Sequence, residues 1–392
     1  MFSKLRKTFN IVQCPECKRQ IGTHLKYKCS IHNKEQEQSL WEYINGKLPV
    51  CDEDGTKHFT DSVIHCTDSQ DGLLEFLLGN YEKNKFHLDC NATFPEGMLK
   101  PNIEVRRICL AGTTQSGKTV FKARLKETLL KTFAPAAGIT VPDLKFEFKG
   151  DVNHEKLPSR TDVMGNKNIP PEYIAFNRLG KTYLLVIYDI AGEDLSDEAE
   201  KLKWQRSISI VDNIFVFLDP VSNFNIISED KEELNSAEKA YKQIKSLVDF
   251  IIQYSEKQHN LKHKFAFIVS KIDQPIIWKK FRDCSDKLTT SENALLWNND
   301  SPVYPDYSAA SYNSKKFNIE NIVKSFIEKY SDYNYTHFFD TNDEEYKSVD
   351  VLEDVKYFAM SALGLDCEIS DENTEVHLSE PYRLLDPIMW IL

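Results

Sequence analysis

Nowhere in the 392 residues does an apolar run approach the ~18 residues that a membrane-crossing helix requires. The basic N-terminus, MFSKLRKTFNIVQ, also lacks the continuous apolar centre of a secretory signal. A cytoplasmic protein with no membrane partner is therefore expected. Positive charge is scarce too: 49 Lys and Arg against 60 Asp and Glu leave a net charge of −11. That balance argues against broad affinity of the whole molecule for nucleic acid or anionic membranes. Residues 1–35 are the exception, with eight Lys or Arg against two Glu. Nucleic-acid binding there is a secondary and disfavoured reading, because such charge is more often a solvated face. Continuous hydrophobicity is thin over the first hundred residues, so that region would gain from covalent or metal staples. The full length calls for two or three units.

Without an export signal, the nine cysteines read as reduced thiols and metal ligands rather than disulfides. Six of them precede residue 91. Cys14-Pro-Glu-Cys17 and Cys29-Ser-Ile-His32 are two knuckles at the spacing of a Cys₃His zinc ribbon, which closes a structural site with four ligands. A second set, Cys51, Cys66, His87 and Cys90, is a further candidate for Zn²⁺. There His87-x-x-Cys90 forms one knuckle, and Cys51 could join Cys66, His65 or Asp54. Ordinary core cysteines are its competing reading. Short helices are expected at 39–44 and 73–78, and MetLeuLysProAsn (98–102) reads as a linker. The expected division is a zinc-ribbon-like domain at 1–100 and a second domain at 104–392.

The second domain opens on its most informative stretch. An apolar strand, Val105–Ala111, leads into Gly112-Thr113-Thr114-Gln115-Ser116-Gly117-Lys118-Thr119-Val120, and a helix follows to about Thr132. GxxxxGK[ST] between strand and helix is a phosphate-binding loop. Its glycines let backbone N–H groups turn around a polyphosphate, and Lys118 can reach the terminal phosphates. The Thr119 hydroxyl is the natural ligand for Mg²⁺. The helix adds its positive dipole end.

Downstream partners narrow the ligand. Residues 134–171 read as a mobile loop, in which Thr161 is the candidate to complete the Mg²⁺ shell, against the reading of an ordinary loop threonine. Neighbouring Arg160 is a weaker candidate for an internal arginine finger. A hairpin, Glu172–Arg178 and Lys181–Tyr188, ends in Asp189-Ile-Ala-Gly192-Glu193. Asp189 at the end of an apolar strand suits a water-mediated Mg²⁺ contact, and Gly192 can give its N–H to a γ-phosphate. After a charged helix (195–209), a strand (213–220) and a long helix (229–256), the strand 264–269 ends in Ser270-Lys271-Ile272-Asp273. Guanine presents N1–H and its 2-amino group side by side, which the Asp273 carboxylate can accept together; adenine has no such pair. The Lys271 stem can lie along the base. An insertion, 274–345, carries one clear helix (319–330) and scattered aromatics, Trp278, Trp297, Tyr304, Tyr307 and Tyr312, read as packing residues. The last strand (355–360) closes in Ser361-Ala362, placed to offer backbone N–H to the guanine oxygen. The C-terminal ArgLeuLeuAspProIleMetTrpIleLeu reads as an apolar helix on the sheet.

In their order GTTQSGKT, DIAG, SKID and SAL, residues 104–364 resemble a translation-factor-related (TRAFAC-class) P-loop GTPase. The expected fold is α/β, a mostly parallel sheet with one antiparallel hairpin strand and helices on both faces. Most of the chain further resembles bacterial "double-GTPase" proteins predicted in conflict or anti-phage systems. That likeness rests on the Cys/His-rich leader, TyrAspIleAlaGlyGluAsp, PheLeuAspPro, MetSerAlaLeuGly and ProIleMetTrpIleLeu. It implies a Mg²⁺-dependent, GTP-binding and GTP-hydrolysing switch that alternates between GTP and GDP and acts with a protein partner or effector. Catalytic roles would fall to Lys118, Thr161 and Glu193. Two departures stand out: Ser270 replaces the usual Asn or Thr, and Glu193 stands where Ras-like proteins hold water with glutamine. Slow or partner-dependent turnover is the expectation. The alternative is a zinc-ribbon adaptor for nucleic acid or protein whose G domain binds GTP with little or no hydrolysis.

Overall fold

The computed structural model describes residues 24–28, 35–39, 63–65, 93–95, 103–113, 115–136, 171–189, 211–224, 226, 231–257, 262–285, 297–298, 301–302, 304, 307, 319–339, 352–365, 368–369 and 376–392. By packing, the chain divides into two compact units. One is built from Met1–Val105, Pro135–Asp143 and Pro171–Val186, and the other from Arg106–Ala134, Leu144–Pro170 and Ile187–Leu392. The expected helices at 39–44, 73–78 and 195–209 and the loop at 134–171 fall, but for a few end residues, outside the described residues.

The first hundred residues contribute four short strands: β1 (His24–Lys28), β2 (Glu35–Ser39), β3 (Val63–His65) and β4 (Thr93–Pro95). They form an antiparallel sheet in the order β2-β1-β3-β4. The sequence reading assigned no strands here. HisLeuLysTyrLys does alternate polar with apolar over its five residues, a legible period-two signal, whereas GluGlnGluGlnSer has no apolar residue to show one. Cys29 and His32 fall in the sequence between β1 and β2.

The remainder follows the expected alternation closely. In order come β5 (Ile103–Gly112), α1 (Lys118–Thr132), the two-residue β6 (Ala134–Pro135), β7 (Glu172–Arg178), β8 (Lys181–Asp189) and β9 (Asn213–Leu218). There follow the single turn α2 (Pro220–Asn223), α3 (Lys231–Lys257), β10 (His263–Val269) and α4 (Pro275–Asp283). A small ladder, β11 (Trp297–Asn298) and β12 (Ser301–Pro302), precedes α5 (Glu320–Tyr330), β13 (Leu352–Ala359) and α6 (Asp386–Ile391). The result is an α/β fold on a seven-stranded sheet ordered β13-β10-β9-β5-β8-β7-β6. β5, β9, β10 and β13 run parallel, while β7 and β8 are joined by the tight turn at Leu179-Gly180. This mostly parallel mixed sheet is compatible with a P-loop fold. β9 is buried at every position, and its apolar run without alternation is what a parallel strand covered on both faces requires.

The 274–345 segment contains a helix that the sequence reading omitted. α4 starts at Pro275, directly after Ser270–Asp273, and a proline at the first helical position loses no intrahelical bond. Its Trp278 ring lies 5.6 Å from Tyr382, and Tyr304 meets the same ring at 5.5 Å. Tyr307 donates its hydroxyl to Asp386 Oδ1 at 2.6 Å. Three of the scattered aromatics therefore clamp the C-terminal segment, as packing residues do. α6 lies on the sheet as expected: Trp390 meets Phe358 at 5.8 Å, and Arg106 Nε donates to the Ile391 carbonyl at 2.8 Å. Among the described residues, no helix is long and apolar enough to cross a membrane.

Candidate functional site

The carboxyl ends of β5, β8, β9, β10 and β13 deliver the candidate residues. β5 runs buried through Cys109–Ala111 and leaves the sheet at Gly112, whose φ is +144°. A Cβ there would sit 2.7 Å from the Phe217 carbonyl oxygen on β9 and 2.9 Å from Ser116 Oγ, so only glycine fits. Gln115 (φ +65°) and Gly117 (φ +92°) add two more left-handed turns before α1 begins at Lys118. Three such residues within six make the backbone coil instead of extending. The first turn of α1 then presents N–H groups without intrahelical acceptors, the usual basis of an anion site.

Lys118 is buried and threaded back into this coil. Its Nζ donates to the carbonyls of Gly112 (2.8 Å) and Thr113 (3.1 Å) and lies 3.4 Å from Ser116 Oγ. The Thr113 hydroxyl is buried without a hydrogen-bond partner. A donor left over in a loop of this shape points to a ligand that would engage it. Thr119 and Val120, one step along α1, are half-buried.

The end of β10 reaches the same loop. Ser270 is buried, and its hydroxyl, 3.2 Å from the Leu218 carbonyl, lies 2.7 Å from the Ser116 carbonyl, 154 residues away in sequence. Ser270, where the sequence departs from Asn or Thr, thus ties the loop at Gly112–Lys118 to the Ser270–Asp273 segment. Lys271 follows in a left-handed conformation (φ +54°), and its Nζ meets Asp219 Oδ2 at 2.8 Å. Asp219 caps α2 by accepting from Val221 N at 3.1 Å, while its own N–H donates to Asn223 Oδ1 at 2.7 Å. The sequence reading did not assign Asp219 a role. The signal was present: an aspartate directly before proline at a strand's end is an N-cap followed by a first-turn proline. Asp273 sits half-buried two residues beyond Lys271.

β13 brings in the last segment. Met360 N donates to the Val269 carbonyl at 2.9 Å, and Ser361 is fully buried. The Ser361 N–H is given to the Tyr382 carbonyl (3.0 Å), and its hydroxyl accepts from Gly364 N at 2.9 Å. Ser361 therefore shapes the loop, and its N–H, expected from the sequence to face a guanine oxygen, is taken by Tyr382. Arg124, buried on α1, holds that loop by donating to the carbonyls of Ala362 (3.2 Å) and Ser379 (2.9 Å).

Asp189, at the end of β8, has a partner that the sequence reading did not foresee. Lys122 Nζ lies 2.8 Å from Asp189 Oδ2, and both side chains are more than nine-tenths buried (7% and 9% exposed). Lys122 is one turn along α1 from Lys118 and three residues from Thr119. The neighbouring Cys109 thiol is pushed well up from its ordinary pKa, first by burial and then by the Asp189 carboxylate, with Lys118 opposing. It stays protonated and unreactive. As a test of fit for Mg²⁺, Thr119 in the first turn of α1 has the chemistry of a hydroxyl ligand, but Asp189 would have to share or surrender Lys122 to join it.

Bonds in the structure tie the loop Gly112–Lys118 to Ser270, and α1 to Asp189 through Lys122 and to Ala362 through Arg124; Thr119, Val120, Lys271, Asp273 and Ser361 lie on the same helix and strand ends. Thr114, Arg160, Thr161, Gly192 and Glu193 lie outside the described residues, as do Cys14, Cys17, Cys29, His32, Cys51, Cys66, His87 and Cys90 of the zinc assignments. Among the described residues no group of three or more His, Cys, Asp or Glu is placed to hold a metal. No protein-family model matches the chain, and no curated protein matches it.

Proposed function

We propose that this chain is a GTP-binding and GTP-hydrolysing switch of the P-loop class. The observation that carries the reading is the bond between Ser270 and the Ser116 carbonyl. It supports one continuous site, with phosphates held at 113–119 and a guanine base read by Asp273, Lys271 and the loop from Ala362. Lys118 would leave the loop carbonyls for the terminal phosphates, and Mg²⁺ would reach those phosphates through Thr119. By sequence, Thr161 and Glu193 complete the hydrolytic apparatus, and Gly192 gives its N–H to the γ-phosphate. Release of the 134–171 and 192–209 segments on hydrolysis is the switch, read by a protein partner. The resemblance of the sequence to double-GTPase proteins is the ground for looking for that partner in a bacterial conflict system. Zinc at the first Cys/His set, and at the second if its ligands converge, would staple the leading domain; metal analysis of the purified protein should find about one or two zinc ions per chain.

The test is competition for the site. GTP should displace a fluorescent guanine nucleotide where ATP does not, and Asp273→Ala should erase the difference. Equal displacement by GTP and ATP from the unaltered protein ends the guanine claim. Glu193→Gln should change turnover far more than affinity; unchanged turnover removes Glu193 from the mechanism.

A further inference from the structure

Phosphate sites carry a charge problem. A carboxylate beside the cradle repels the polyphosphate it is meant to help bind, and a divalent cation normally resolves the conflict by standing between them. Here the carboxylate at the end of β8 already has a cation from the protein itself. Lys122 and Asp189 form a 2.8 Å ion pair with both side chains more than nine-tenths buried. Burial fixes the pair. An ammonium and a carboxylate screened this little hold each other far more strongly than a surface pair, and removing either leaves an uncompensated buried charge. The pair also stands close to the phosphate loop. Lys122 is one helical turn from Lys118, and Cys109, behind Gly112, feels both Asp189 and Lys118.

We infer that Lys122 is a tethered cation that neutralises Asp189 in place of Mg²⁺, so that a nucleoside diphosphate binds this site with little dependence on the divalent ion. This deepens the nucleotide-binding reading and rests on it. The cause is electrostatic. With Lys122 present, a polyphosphate meets Lys118, the α1 N-terminus and a neutral pair. With Lys122 removed, Asp189 is left as an unscreened carboxylate beside the start of α1, which costs on the order of a hundredfold in affinity unless a cation intervenes. Mg²⁺ added to the native site is left with Thr119 and the phosphates.

The experiment measures binding, not turnover. Full-length protein is desalted into magnesium-free buffer without chelator, which leaves tightly held zinc in place, and is titrated with a fluorescent GDP analogue with and without millimolar Mg²⁺. The native chain should bind with dissociation constants that agree within about tenfold. Lys122→Met should lose on the order of a hundredfold or more in magnesium-free buffer and recover most of it with Mg²⁺. Lys122→Met with Asp189→Asn removes both charges, avoids the buried unpaired carboxylate if the single variant fails to fold, and should restore tolerance to magnesium-free buffer. A native protein that loses about a hundredfold on magnesium removal overturns the inference, as does a folded Lys122→Met that binds equally well in both buffers. Absence of binding in either buffer instead removes the nucleotide reading itself, and the two failures are told apart by that difference.

Discussion

Two glycines separate conformational strain from steric exclusion at the scale of single residues. Gly112 and Gly180 both have positive φ, +144° and +76°. An added Cβ meets nothing within 4 Å at Gly180 but lies 2.7 Å from the Phe217 carbonyl at Gly112. Gly180→Ala should therefore cost only the backbone term, about 1 kcal/mol. Gly112→Ala adds a forced contact with β9 worth roughly 1–3 kcal/mol. Denaturant unfolding of the two variants checks the ranking, and the Gly112 variant alone should also lose nucleotide binding. Equal destabilisation would mean that the loop can move off β9, and that Gly112 is not the fixed corner of the site.

At the scale of elements, side chains carried on β10 and α1 tie the loop at 112–118 to the segments that follow β10 and β13. Ser270 does so from β10, and Arg124 from α1 through the Ala362 and Ser379 carbonyls. Ser270→Ala should cost about 1–2 kcal/mol of stability, because the Ser116 carbonyl loses a buried partner, while the Leu218 carbonyl keeps the Ser270 N–H. Arg124→Met should weaken guanine nucleotides by about tenfold, through loss of charge-assisted bonds, and narrow the preference for GTP over ATP. Lys118→Ala should instead weaken every nucleotide alike. Competition titrations separate the two patterns; an Arg124 variant that weakens GTP and ATP equally would make the residue structural only. These joints also show what a sequence can disclose. The strand ends at Gly112, Asp189, Ser270 and Ser361 were legible because apolar runs stop there against Gly, Asp and Ser. The partners were not. Nothing local says that Lys122 turns toward Asp189, that Lys271 takes Asp219, or that the Ser361 N–H is spent on Tyr382. Each depends on a long-range register. α4 escaped notice for the opposite reason: its leading proline reads as a helix breaker unless it is recognised as a helix start. The alternation at 24–28 was legible and passed over, while the strand at 35–39 has no apolar residue to mark a period.

For the whole molecule, charge distribution sets the two functional readings against each other. A chain of net charge −11 keeps a local excess of positive charge in residues 1–35 and a second positive focus at Lys118 and the start of α1. A nucleic acid would be held by the first, through counterion release, and would lose about 10³–10⁵ in affinity for six to ten phosphate contacts between about 50 and 200 mM salt. A nucleoside triphosphate would be held by the second, where buried donors and a fixed loop shape are screened much less. Ligand linkage makes the contrast measurable on the intact chain. GTP at a hundredfold excess over its dissociation constant should stabilise the native state by about 2.7 kcal/mol. The resulting rise in melting temperature should persist across that salt range, with ATP giving little. A polynucleotide acting through residues 1–35 should shift melting only at the low-salt end. Should RNA or DNA raise the melting temperature steeply at low salt while GTP gives no shift at any salt, function would move to the leading segment, and the phosphate loop would be a scaffold that has kept its shape without its ligand.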